Sequence, residues 1–131
     1  MSLLPFIESH NPRITSLGQD KAFLEKLGPR IRKIRKEEIT PELIQLLSSQ
    51  LDAIYDKLDT QNKLTNNIDE ILIDLESDAM LLQQKIEDQN LDKEFFKTVL
   101  SLGQKISKFA RSMRFIISYI VVDNIDPPPF W

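Results

Sequence analysis

Two runs of apolar residues on a seven-residue grid constrain this chain more than any other feature of its sequence. In the first run, Ile44, Leu51, Leu58, Leu72, Ala79 and Ile86 occupy one core position, and Leu47, Ile54, Ile68, Leu75 and Leu82 the other. In the second, Phe95, Val99, Leu102, Ile106, Phe109, Met113, Ile116 and Ile120 follow alternating steps of four and three. A strand alternates every second residue, whereas this spacing returns each apolar side chain to one side of an α-helix. The expected class is therefore all-α: a long antiparallel helical hairpin or coiled coil over about 41–88 and 93–122, with short N-terminal helices, forming a bundle alone or with partners. Leu43, Leu64, Ile71 and Tyr55 flank the first grid, so its stripe is wider than a two-stranded seam and calls for more than two helices.

The start of the first long helix is marked by Thr40, Pro41 and Glu42, which supply a hydroxyl cap, a proline at the first helical position and an acid in the first turn. Within it, Gln61 and Thr65 interrupt the grid inside the polar stretch 60–67. The heptad phase is the same on both sides of that stretch, which favours one continuous helix with a polar layer. The competing reading is a turn near Asn62–Asn66, with Asn67 and Glu70 capping a new helix. A second polar break, 88–92, separates the grids and is short enough for an antiparallel hairpin. Gly103 lies off the core positions of the second grid and reads as a tolerated glycine, costing about 1 kcal/mol against alanine.

Ahead of the grids, 1–19 contains Pro5, Pro12 and Gly18 without a helical period and reads as an irregular arm. Residues 20–38 read as a short broken helix, stopped by Gly28 and Pro29 and resuming in a basic piece. The end, 123–131, reads as an extended proline-rich tail, with Pro127, Pro128, Pro129, Phe130 and Trp131 a candidate docking segment or a strap folded back on the bundle. The whole is expected to be one domain of 131 residues.

Charge is segregated although the net value is only −3. Residues 1–40 hold eight basic and five acidic residues, 41–92 hold three and twelve, and 93–122 hold six basic residues against Glu94 alone. Within Arg30–Lys36, the cations Arg30, Arg32, Lys33, Arg35 and Lys36 are candidate anion contacts, while Ile31 and Ile34 share one side and are suited to packing. The last helix adds Lys105, Lys108, Arg111 and Arg114 beside Phe109, Met113, Phe115, Ile116 and Ile117.

Chemistry-bearing patterns are sparse. The single histidine, His10, sits in the arm with no nucleophile spaced to use it, and the acids Asp52, Asp56 and Asp59 face away from the core grid. The glycines at 18, 28 and 103 are too scattered for a phosphate loop. Bundle metal sites need inward glutamates with a Glu-x-x-His pair, a pattern the chain lacks. No enzyme, cofactor or metal is expected. The absence of cysteine favours a reducing compartment, cytoplasm or nucleus, and the longest apolar run falls short of a membrane span.

The functional expectation is a non-catalytic helical scaffold or adaptor subunit. Its partners would be other helical proteins or a second copy, packed through Ile44, Leu47, Leu51, Ile54, Leu58, Ile68, Leu72, Leu75, Leu82, Ile86 and the second grid from Phe95 to Ile120. A peripheral membrane- or nucleic-acid-binding adaptor using 30–36 and the basic last helix is one alternative. A self-contained four-helix bundle is the other. Heptad patterns recur across unrelated scaffolds and identify no family.

Overall fold

The structure is a computed structural model that describes the backbone of residues 3–125 and the side chains of 3–116. It is an all-α bundle without strands among the described residues. Five helices follow in order: α1 (Leu4–Glu8), α2 (Leu17–Arg32), α3 (Pro41–Thr60), α4 (Asn66–Glu87) and α5 (Lys93–Ile125), with a 3-10 turn at Lys36–Glu38. Contacts such as Lys57–Asp20, Lys85–Glu94 and Asp78–Ser101 show that consecutive long helices run antiparallel. With α2 packed back on α5, the four long helices form an up-down-up-down bundle.

The region expected to be one helix over 41–88 is two. Thr40 caps α3 as its sequence promises, its hydroxyl accepting from Leu43 N, but α3 stops at Thr60. Asn62 then adopts a left-handed backbone, φ 57°, and Lys63 N–H reaches back to the Leu58 carbonyl at 2.8 Å. With Asn62 N–H on the Asp59 carbonyl, this is a Schellman-type stop. The new helix is capped by Thr65, whose hydroxyl accepts from Ile68 N, rather than by Asn67 and Glu70. The α4–α5 turn repeats the device: Gln89 has φ 57°, Asn90 N–H reaches the Lys85 carbonyl, and Asp92 caps α5 by accepting from Phe95 N. The seven-residue phase survives the first turn because α3 and α4 both turn their grids to the same core. Burial explains the register equally well.

The broken helix of 20–38 is likewise corrected. Helix α2 is continuous through Gly28 and Pro29, and it begins at Leu17, three residues earlier than expected. Ser16 and Gln19 form a capping box, each side chain bonding the other's backbone N–H at 3.2 and 2.8 Å. Pro29 removes a helical donor, yet Leu24, Leu27, Gly28 and Ile31 are all buried on one side, and tertiary packing outweighs that loss. The arm is also folded: α1 buries Ile7 completely, and Leu3 and Leu17 join the core. At the other end α5 stays helical to Ile125, past the expected stop near 122, and 126–131 lie outside the described residues.

Glycine at 28 is what allows α2 and α5 to meet. A Cβ on Gly28 would come within 3.0 Å of the Gly103 carbonyl oxygen, and one on Gly103 within 2.9 Å of the Gly28 carbonyl oxygen and 2.5 Å of Arg32 Cγ. The two backbones therefore touch, and Gly103 is buried at the crossing instead of lying idle on the surface. Helix propensity alone has Gly103→Ala stabilising by about 1 kcal/mol. The crossing reverses the sign: Gly103→Ala is expected to cost about 1–3 kcal/mol through forced separation of the helices, read as a lowered denaturant midpoint.

Candidate anion-binding face

The candidate packing residues lie in the chain's own core. Those from Ile44 to Ile116 are buried except Ile86, which is half-buried against the same cluster, and Phe95, Ile106, Phe109 and Met113 have no exposure at all. Ile120 lies outside the described side chains. The break at 61–65 is the cause, since it folds α4 back on α3 and lets each grid cover the other. These buried side chains are therefore not exposed on the surface of the folded chain.

The five cations of 30–36 have different fates. The Arg30 guanidinium sits 4.1 Å from the centre of the Phe6 ring, a cation–π contact that holds α1 to α2. Ile31 is buried and Ile34 half-buried, as their spacing implies. Lys33, Arg35 and Lys36 are exposed where α2 leaves the bundle, and among the described residues none is in an ion pair. Arg32 alone turns onto α5. Its stem crosses Gly103, and it lines a shallow groove of about 420 Å3 with Gln104, Lys105, Ser107, Lys108 and Arg111.

That groove unites the two basic segments the sequence holds some 70 residues apart. Among the described residues no carboxylate lines it. One lining cation, Lys105, is paired, its ammonium 3.1 Å from Asp78 on α4, which also accepts from the Ser101 hydroxyl at 3.0 Å. Along α5 the exposed row Phe96, Leu100, Gln104, Lys108, Arg111 and Phe115 advances in steps of three and four, so the cations share one face with apolar side chains. Phe96, Leu100 and Phe115 are 41%, 45% and 74% exposed. Exposed apolar groups beside a basic groove are a familiar composition for a binding surface.

Acids collect on α3 and α4. Glu76 faces Asp52 across the two helices, and Tyr55 faces Asp69. Burial first, then the hydrogen bond and charge of Asp52, then Asp69, hold the Glu76 carboxyl above its ordinary value. The folded chain thus binds this proton more tightly than the unfolded chain. Stability from this group is present below the ordinary glutamate range and is lost as pH rises through the raised value. Glu76→Gln is expected to flatten the decline in denaturant midpoint across that window and to leave the neutral-pH protein no less stable.

One cluster has no signal in the sequence. Asp20 is wholly buried, with His10 Nε2 at 2.8 Å, the Thr15 hydroxyl at 2.6 Å and the Lys57 ammonium at 2.7 Å. Lys57 also donates to the Thr15 carbonyl, and the Gln50 amide donates to the carbonyls of Ile7 and His10 at 2.7 and 2.9 Å. The His10 ring stacks on Phe23 at 4.0 Å, and Phe6 also stacks on Phe23 at 5.1 Å. Residues 10, 15, 20 and 57 share no period, so only the folded arm assembles them. Removing Asp20 strands Lys57 in a dry setting. Asp20→Asn should therefore cost about 3 kcal/mol in chemical unfolding and open the arm to proteolysis near residues 10–16.

No protein-family model matches the chain, and neither a curated protein nor a solved structure matches it. The functional reading consequently rests on the geometry alone.

Proposed function

We propose that this protein is a non-catalytic helical adaptor, and that it docks to an anionic partner through the cationic face of α2 and α5. The observation that carries the reading is the separation of roles among its apolar and basic residues. Over the described residues the heptad seams are consumed inside the chain, while both basic segments reach one groove that no described carboxylate lines. His10 is engaged in stacking and in the Asp20 cluster, which speaks for a structural histidine and against a general base. No helix among the described residues is long and apolar enough to cross a membrane, so a membrane partner would be met at its surface.

Acidic helical proteins suit this face, because Phe96, Leu100 and Phe115 supply apolar contact beside the charges. Phosphate surfaces suit the groove itself. Light scattering at micromolar concentration should give a monomer with a cooperative melt, as expected of a chain that covers its own seams. Retention on a phosphorylated cation-exchange resin should fall steeply with salt despite the net negative charge. Replacing Lys33, Lys36, Lys108 and Arg111 with glutamine should abolish it. An obligate oligomer, or retention indifferent to salt and to these substitutions, would defeat the proposal.

A further inference from the structure

We infer that the groove between the end of α2 and the middle of α5 is a binding site for a compact group carrying two or more adjacent phosphates. The inference rests on the cationic face being the docking surface, and it names the ligand class taken there.

Charge sets the number of phosphates. Arg32, Lys105, Lys108 and Arg111 bring four positive charges to the lining, and Asp78 offsets that of Lys105. One phosphate ester carries about −1.5 to −2 at neutral pH and leaves a cation uncompensated, whereas two side by side match the remainder. Size points the same way. A groove of about 420 Å3 is far larger than a single phosphate and falls within the range of small-molecule sites.

Placement distinguishes this groove from scattered surface charge. The Arg32 stem lies in the space a Cβ on Gly103 would take, which carries its planar fork over α5. Two arginines offer paired donors to phosphate oxygens, the lysines add point charges, and Gln104 and Ser107 add neutral donors between them. Among the described residues no aromatic ring lines the groove, so these residues offer no stacking platform of the kind on which single-stranded nucleic acid is held. Phe96 and Phe115 lie at either end of the exposed α5 row, clear of the groove lining, where they could enter the interfacial layer of a membrane.

The test is calorimetric titration of the full chain with inorganic tripolyphosphate, against sulfate at matched ionic strength. One saturable site is expected, at least tenfold tighter for tripolyphosphate than for sulfate. Arg32→Gln should weaken it about tenfold, and Lys108→Gln with Arg111→Gln should remove it. Lys33→Gln with Lys36→Gln deletes as much charge outside the groove and should change the affinity less than threefold. Circular dichroism of each variant confirms that these exposed substitutions leave the helices intact. Flotation with vesicles containing a bisphosphorylated inositol lipid, against vesicles of equal charge containing phosphatidylserine, identifies the source. Arg32-dependent preference for the former assigns a lipid headgroup, and tripolyphosphate binding without that preference assigns a soluble polyphosphate.

Equal loss in the two double variants, no saturation, or tighter and more salt-sensitive binding of a single-stranded oligonucleotide would each overturn the site. Salt-sensitive resin binding that persists without a saturable phosphate site defeats this inference and leaves the adaptor reading standing. Loss of resin binding at low salt defeats both.

Discussion

The crossing of α2 and α5 at Gly28 and Gly103 is the contact on which the rest of the bundle is arranged. Each glycine faces the other's carbonyl, and a methyl group on either would meet backbone at about 3 Å. Backbone cannot rotate out of the way as a side-chain tip can, so the separation of these helices is set by the two missing side chains. Leu24, Leu27 and Ile31 of α2 are buried in the same core cluster as Leu102 and Ile106 of α5. Burial of such residues supplies about 1.5–3 kcal/mol each, enough together to carry α2 straight through Pro29. The same absence of a Cβ gives Arg32 its path over α5. One steric fact thus closes the bundle and shapes the basic groove.

At the opposite end, polar contacts do the fastening. α1 is only five residues long and could not hold helical shape by itself. It is kept in place by Ile7 in the core, by the Arg30–Phe6–Phe23–His10 stack, and by Gln50 and Lys57 reaching from α3 to backbone carbonyls of the arm. Asp20 collects a histidine, a hydroxyl and an ammonium, so its buried charge is matched. The α4–α5 turn has a smaller counterpart. Lys85, nearly buried, bonds Glu94 and Asp92, and Asp92 in turn accepts from Phe95 N at the helix start. The Glu94 bond raises the Lys85 ammonium against the opposing effect of burial, and the Phe95 N–H chiefly lowers the Asp92 carboxyl. Helix ends, with their unpaired donors and carbonyls, are where this fold uses its charges structurally.

The remaining charges form a polarity across the molecule. Acids gather on α3 and α4, where Asp52 stands close enough to Glu76 to add to the burial that disfavours Glu76 ionisation. Cations gather at the end of α2 and along α5. Among the described residues Asp78 is the one acid paired with a groove cation, Lys105. Repulsion among cations left unpaired here would be relieved by an anion brought from outside, which is the physical basis of the proposed docking face.

Fold class and the core positions of the two heptad grids were determined by sequence alone, because apolar periodicity is local and each residue carries its own contribution. Ile44 through Ile116 were legible as buried positions, as were the Thr40 cap and the antiparallel return after residue 88. The Ser16–Gln19 capping box was equally available and was obscured by Gly18 and by the proline that follows Gly28. Three matters were decided only in three dimensions. Whether 60–65 turns depends on what the grid packs against, and a heptad phase is the same for a partner chain as for the chain's own next helix. The worth of Gly28 and Gly103 depends on each other across 75 residues. So does the Asp20 cluster on residues 10, 15, 20 and 57, which no spacing relates. Local patterning records which side chains avoid water; which of them meet is set by packing the helices together, and the candidate site belongs to that second kind of information.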